Sequence, residues 1–231
     1  MAGRHVSGPG EVNAVTGEYA LRSAVIATAL AMNAADINRG KSGNVSARLQ
    51  TAEFDGFLVT PTGLPYADTT PNDIVAVGLD GAVRGARLPS SEWRFHRDIY
   101  LQRADATAIV HTHSPRATAL ACMRLPIPAF HYMVAVAGGT DIRCASYATF
   151  GTQALSDHAL AALDGRRACL LANHGVIALG TTLHHALALA IEVENLAEMY
   201  THALQLGTPV VLDDDEMRLV LEKFASYGQP R

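Results

Sequence analysis

Ala108–Ser114 reads AIVHTHS, an apolar run that ends in two histidines one residue apart. Residues i and i+2 of a strand point to the same face, roughly 7 Å apart at their Cα atoms. His111 and His113 would then project together, close enough to share one metal ion. Two polar residues leaving a strand at the solvent boundary would look the same locally, so the choice depends on what else the chain offers.

A third candidate is His174, in an NHG sequence where an apolar strand gives way to glycine. Element ends of this kind often carry functional side chains. Three histidines leave one position of a tetrahedral metal open, which suits a catalytic rather than a structural site. Zinc is the first choice because imidazole suits it, with other divalent ions possible. Glu92, in PSSE, can be read in two ways. A carboxylate in the first helical turn can simply serve the helix as a cap. Beside a divalent cation it can instead be a fourth ligand or a proton carrier. His96, His158, His184, His185 and His202 read as ordinary helix residues, while His131 draws attention because it adjoins Tyr132.

Around these residues the patterning is mixed α and β. Helices are expected over Glu18–Asn38, from Ser90 or Ser91 to Arg103, Pro115–Met123, Thr152–Leu163, Leu183–Gln205 and Asp213–Ala225. Strands are expected over Val45–Leu49, Phe57–Thr60, Ile74–Leu79, Thr107–His111, Cys169–Asn173 and Val176–Leu179, with one or two more within Asp141–Ala148. Asp55-Gly56 is a turn signal, and Asp80-Gly81 a hairpin. Strands alternating with helices suggest a parallel sheet, but the hairpin requires antiparallel pairing somewhere. Strand direction stays open at this level.

The 231 residues are 49% hydrophobic and 17% charged, with a formal net charge of −4. That is ample for one large core, and no basic run suggests nucleic acid or a membrane surface. An anionic substrate must therefore be held by local donors. Three loops offer them: KSGNVS (Lys41–Ser46), TPTG (Thr60–Gly63) and the Ser90–Ser91 pair at a helix start. Backbone N–H groups, hydroxyls and an amide can ring a phosphate without a positive cluster, and Lys41 could add a charge. Cys122, Cys144 and Cys169 read as buried, reduced thiols, which points to the cytoplasm. The Gly-bearing start MAGRHVSGPG lacks the apolar core of a signal peptide. A loosely held tail is expected over residues 1–15 and one domain over 16–231.

Taken in order, GNVS (43–46), TPTG (60–63), LPSSEWRFH (88–96), HTH (111–113), PAFHYM (128–133), AGG (137–139), YATFGT (147–152), HG (174–175) and EKFASYG (222–228) resemble the class II aldolase/adducin family, most nearly its L-fuculose-1-phosphate aldolase subgroup. The resemblance implies a single-domain, three-layer α/β/α fold with a largely antiparallel central sheet. It implies zinc ligands His111, His113 and His174, with Glu92 completing the metal shell and then shuttling the proton. Asn44, Thr62, Ser90, Ser91 and the backbone of Gly43 and Gly63 correspond to a phosphate cradle. Tyr132 is similar to a tyrosine that reaches in from a neighbouring subunit to protonate the aldehyde-derived oxygen, and Phe150 and Tyr227 to the lining of the aldehyde end.

The activity so implied is reversible, zinc-dependent cleavage of a ketose 1-phosphate to dihydroxyacetone phosphate and a small aldehyde. The ketose would be L-fuculose 1-phosphate or a related 5-deoxypentulose 1-phosphate, and the protein a homotetramer. Pentulose-phosphate 4-epimerases and methylthioribulose-1-phosphate aldolases or dehydratases are the alternatives within the family. Two positions depart from its pattern: Lys41, where a small hydroxyl residue is common, and Asn173, where a second histidine is common.

Overall fold

The computed structural model describes residues 9–226. Eight strands form one sheet: β1 (Asn44–Gln50), β2 (Asp55–Val59), β3 (Val75–Gly78), β4 (Val83–Arg84), β5 (Ala108–Thr112), β6 (Cys144–Ala145), β7 (Ala168–Leu171) and β8 (Gly175–Gly180). Their order is β4-β3-β2-β1-β5-β8-β7-β6. Every neighbouring pair is antiparallel except β6 with β7. The parallel sheet suggested by strand–helix alternation is thus corrected to a single parallel pair at one edge.

Period-2 alternation builds the two faces. Val45, Leu58, Ala76, Val110, Leu170 and Val176 point to one side. Phe57, Val75, Val77, Ile109, Cys169 and Ile177 point to the other. The first face is covered by helices α1 (Pro9–Ala34), α3 (Pro115–Cys122), α5 (Leu183–Leu206) and α6 (Asp214–Ser226). The second is covered by α2 (Trp93–Gln102) and α4 (Gln153–Ala162) through Phe95, Ile99, Leu155 and Ala159. The result is the three-layer α/β/α domain that the motif order implied. Each large apolar side chain taken fully from water stabilises it by about 1.5–3 kcal/mol. No helix among the described residues is long and apolar enough to cross a membrane.

Several boundaries move. Helix α1 begins at Pro9, so its backbone starts within the segment expected as tail. Asp55 and Gly56 open β2 instead of forming a turn; the chain reverses just before them, where Thr51 N donates to Phe54 O at 2.8 Å. Cysteine burial was overestimated: all three thiols are free, but Cys169 alone is buried, Cys144 is half-buried and Cys122 exposed. Thr152 caps α4 as expected, accepting from Leu155 N.

Candidate metal and phosphate site

Strand β5 lies between β1 and β8 at the middle of the sheet, and its buried C-terminal end delivers His111. His113 follows one residue beyond, on the same face. His174 comes from the tight connection between β7 and β8, where Asn173 takes φ +55°. Asparagine tolerates that left-handed conformation, which lets the chain reverse and aim His174 at the β5 pair. The three imidazoles form a nearly equilateral triangle, with ring centroids 4.9, 4.9 and 5.0 Å apart and ring planes crossed at 75–77°.

Gly175 is what permits this approach. A Cβ there would lie 2.3 Å from Thr112 O and 3.0 Å from His113 Cδ2. Gly43 plays a matching part on the β1 side, where a Cβ would meet His111 O at 2.4 Å.

Glu92 completes the group from the start of α2. It occupies the N-cap position yet makes no capping hydrogen bond with its side chain, so the helix-start reading is set aside. The buried carboxylate instead turns to the histidines, with Oε2 3.1 Å from His111 Nε2 and Oε1 3.1 Å from His174 Nε2. Among the described residues, Glu92, His111, His113 and His174 bring their ligand atoms within 4.8 Å of one another.

The electrostatics of this cluster favour a cation. His111 Nδ1 donates to Val176 O at 2.8 Å, which leaves the Nε2 lone pair facing inward. That atom is 3.1 Å from His113 Nε2 as well as from Glu92. Imidazole nitrogens and a carboxylate meeting this closely need a proton or a metal ion between them, and, against the lowering effect of burial, Glu92 accordingly shifts His111 upward. Burial, together with His111 and His174, pushes His113 down to about 3, so it is a neutral donor at ordinary pH. Burial would raise the Glu92 carboxyl, but the facing imidazoles outweigh it and hold it well below the usual carboxylate range. Glu92 Oε1 is buried and accepts no hydrogen bond. An orphaned anionic oxygen is costly, and a metal ion would satisfy it. Three nitrogens and one carboxylate oxygen fit zinc and similar divalent ions.

Behind Glu92 lies a buried polar chain that the sequence did not suggest. Asn44 Nδ2 donates to Glu92 Oε2 at 3.0 Å. Asn44 Oδ1 contacts His96 Nε2 at 2.5 Å, and His96 Nδ1 contacts Ser46 Oγ at 2.7 Å. Ser46 Oγ also meets Tyr100 Oη at 2.7 Å. His96, expected on a helix surface, is fully buried. Burial lowers it to about 3, keeping it neutral. The one clue was in β1, whose inward-facing Asn44 and Ser46 are polar and need polar partners.

The three anion-loop candidates also converge. Ser90 N donates to Thr60 O at 3.0 Å, and Thr62 N to Leu88 O at 3.1 Å. Lys41 Nζ donates to Gly63 O at 2.7 Å, and Tyr66 Oη to Gly43 O. Ser90 is buried, while Thr62, Gly63 and Ser91 are exposed. Asn44 also belongs to this set, but its amide is engaged by Glu92 and His96.

Above the histidines a cleft of about 320 Å³ is lined by Ser42, Ser91, Tyr147, Phe150 and Asn173. That volume suits a small metabolite. Tyr147 and Ser42 join this lining without any sequence signal beyond their membership of the YATFGT and KSGNVS motifs. Tyr132 is elsewhere, half exposed and stacked on Phe224 at 6.3 Å, in a second groove with Leu212 and Val220. His131 caps the short turn there, accepting from Met133 N. Tyr227 lies outside the described residues.

Comparison with known proteins agrees with this geometry. The family model described as the class II aldolase and adducin N-terminal domain matches residues 23–201. A 5-methylthioribulose-1-phosphate/5-deoxyribulose-1-phosphate aldolase of Rhodospirillum rubrum is 56% identical over 209 residues, covering 90% of this chain and 93% of that protein. An L-fuculose phosphate aldolase of Escherichia coli is 50% identical over 205 residues, covering 88% and 94%. A solved structure of an L-fuculose 1-phosphate aldolase superposes with a TM-score of 0.84 at 40% identity, covering 96% of this chain and all of that one.

Proposed function

The chain belongs to the class II aldolase and adducin family, and from that premise we propose that it is a metal-dependent aldehyde-lyase. Its reaction is the reversible cleavage of a ketose 1-phosphate to dihydroxyacetone phosphate and a small aldehyde. The observation that carries this reading is the buried Glu92 carboxylate, whose Oε1 lies 3.1 Å from His174 Nε2 yet accepts no hydrogen bond, set against three converging imidazoles. Residues 16–231 form the catalytic domain, and the protein works in the cytoplasm, where its thiols stay reduced.

His111, His113, His174 and Glu92 would hold the ion, zinc by the fit of imidazole donors. When bound, it supplies Lewis-acid polarisation of the substrate's carbonyl and hydroxyl oxygens. The remaining work belongs to the chain. Ser90, Ser91, Thr62, Lys41, Asn44 and the backbone of Gly43 and Gly63 orient the phosphate. In the condensation direction Glu92 takes the proton from C3 of dihydroxyacetone phosphate, and Tyr132 gives one to the aldehyde oxygen. Cleavage reverses both transfers. Tyr132 does not line the histidine cleft of its own chain, which supports its delivery by a neighbouring subunit of a homotetramer. Phe150 lines the aldehyde end, and Tyr227 is the second residue we assign to that role. A Schiff-base route has no support, because the only lysines are Lys41 and Lys223 and both are exposed. A Schiff-base amine needs burial or a neighbouring cation to lower its pKa.

The substrate we favour is a 5-deoxypentulose 1-phosphate or its methylthio analogue, with L-fuculose 1-phosphate next, following the order of identity to the two named relatives. The test is a panel of these three ketose phosphates, followed by dihydroxyacetone phosphate release. Release from none of them overturns the reading. An isomerised pentulose phosphate without released dihydroxyacetone phosphate would assign an epimerase instead.

A further inference from the structure

We propose that His96, Ser46 and Tyr100 form a positioning relay that locks the Asn44 amide and thereby fixes the Glu92 carboxylate. The proposal rests on the reading of Glu92 as metal ligand and proton carrier. Its direction follows from donor and acceptor chemistry. A carboxylate only accepts, so Asn44 must turn Nδ2 towards Glu92 Oε2. Asn44 Oδ1 then faces His96 Nε2, which must carry the ring proton. His96 Nδ1 is therefore an acceptor, and Ser46 must donate to it. With its own hydrogen committed, Ser46 Oγ accepts from Tyr100 Oη. Each donor in the series points towards Glu92, and each fixes the orientation of the next group.

All members are buried: Asn44 is 2% exposed, Ser46 and His96 0%, and Tyr100 5%. No water is needed to satisfy any polar atom of the series, and none of its atoms is left unpartnered. Glu92 is thus divided between its two oxygens. Oε2 is held by the relay beside His111, while Oε1, facing His174, accepts no hydrogen bond and is the oxygen left for the ion and the migrating proton. Packing alone does not explain this composition, because an apolar set of the same volume would fill the space without burying two hydroxyls, an amide and an imidazole. Phe57 stacks on His96 with ring centroids 6.2 Å apart and packs at a tilt against Tyr100 at 5.2 Å, which limits their movement.

The test uses the full chain, stripped of metal, in three variants: His96→Leu, His96→Gln and Ser46→Ala. Folding is checked by circular dichroism and thermal unfolding, and zinc affinity by competition with a chromophoric chelator. His96→Leu removes both ring nitrogens and should weaken zinc binding about tenfold, the scale for outer-shell partners. kcat should fall with it while KM stays within about threefold, because Ser90, Ser91, Thr62 and Lys41, the other groups that orient the phosphate, keep their places. His96→Gln keeps one donor and one acceptor and should recover affinity and kcat to within about threefold of wild type. A folded His96→Leu protein with wild-type zinc affinity and kcat overturns the relay. If His96→Leu does not fold, Ser46→Ala decides, since it removes a single hydroxyl: a loss in the same direction supports the relay, and unchanged affinity and kcat overturn it. Wild-type protein that binds zinc but releases no dihydroxyacetone phosphate overturns the aldolase reading instead, and the affinity ratios still judge the relay.

Discussion

Asn44 and His111 are partners on one rung of the β1–β5 ladder. Cross-strand partners project to the same face of a sheet, so the residue that holds Glu92 and an imidazole that faces Glu92 are set side by side by strand register alone. A slip of β1 by one residue would turn Asn44 to the face opposite His111. The site is thus tied to a central pairing of the sheet, and its chemistry can be tested on that footing.

Metal removal should abolish dihydroxyacetone phosphate release, and added zinc should restore it. Binding should also stabilise the fold, because the ion relieves the crowding of His111, His113, His174 and Glu92. With zinc at about a thousand times its Kd the gain is about 4 kcal/mol, read as a rise in Tm. Full activity in excess chelator would refute the metal site.

Glu92→Gln keeps the size and one oxygen but cannot carry a proton. It should fold normally and lose at least about 100-fold in kcat, the lower end for a general acid or base. Near-normal turnover would remove Glu92 from the proton path.

Gly175→Ala places a methyl group 2.3 Å from Thr112 O and 3.0 Å from His113 Cδ2. β5 and β8 must part to admit it. Overpacking of this kind costs about 1–3 kcal/mol, measured by urea unfolding, and zinc affinity should fall with it. Wild-type stability together with wild-type affinity would contradict the close approach.

Acid should destabilise the metal-free protein in part through His96, which is neutral when folded and lowered to about 3 by burial. Unfolded, it titrates near the ordinary value of about 6.5. Between those values the unfolded chain binds more protons, so stability falls as pH falls from about 6.5 towards 3. His96→Gln cannot protonate and should lose less stability than wild type across that window. Parallel urea-stability curves for the two proteins would exclude the contribution.

Tyr132→Phe should slow cleavage while leaving zinc affinity unchanged, because Tyr132 lies in a groove apart from the histidines. Loss of zinc in that variant would mean the residue belongs to the metal centre after all.

What could be read along the chain was whatever a local pattern fixes. Helices and strands followed from period and capping, and the His111–His113 pair from the two-residue repeat of a strand. The motif order carried the family, and with it the antiparallel sheet that alternation alone had misjudged. The structure decided what depends on contacts between distant segments. His174 reaches the β5 pair because Asn173 and Gly175 let β8 come close. Glu92 leaves its capping role because the His111 and His174 imidazoles and the Asn44 amide meet its carboxylate instead. His96 could not be recognised from its helix, since its burial depends on the polar, inward-facing Asn44 and Ser46 of β1. Local spacing sets which way a side chain points; only the packed sheet decides what it meets there.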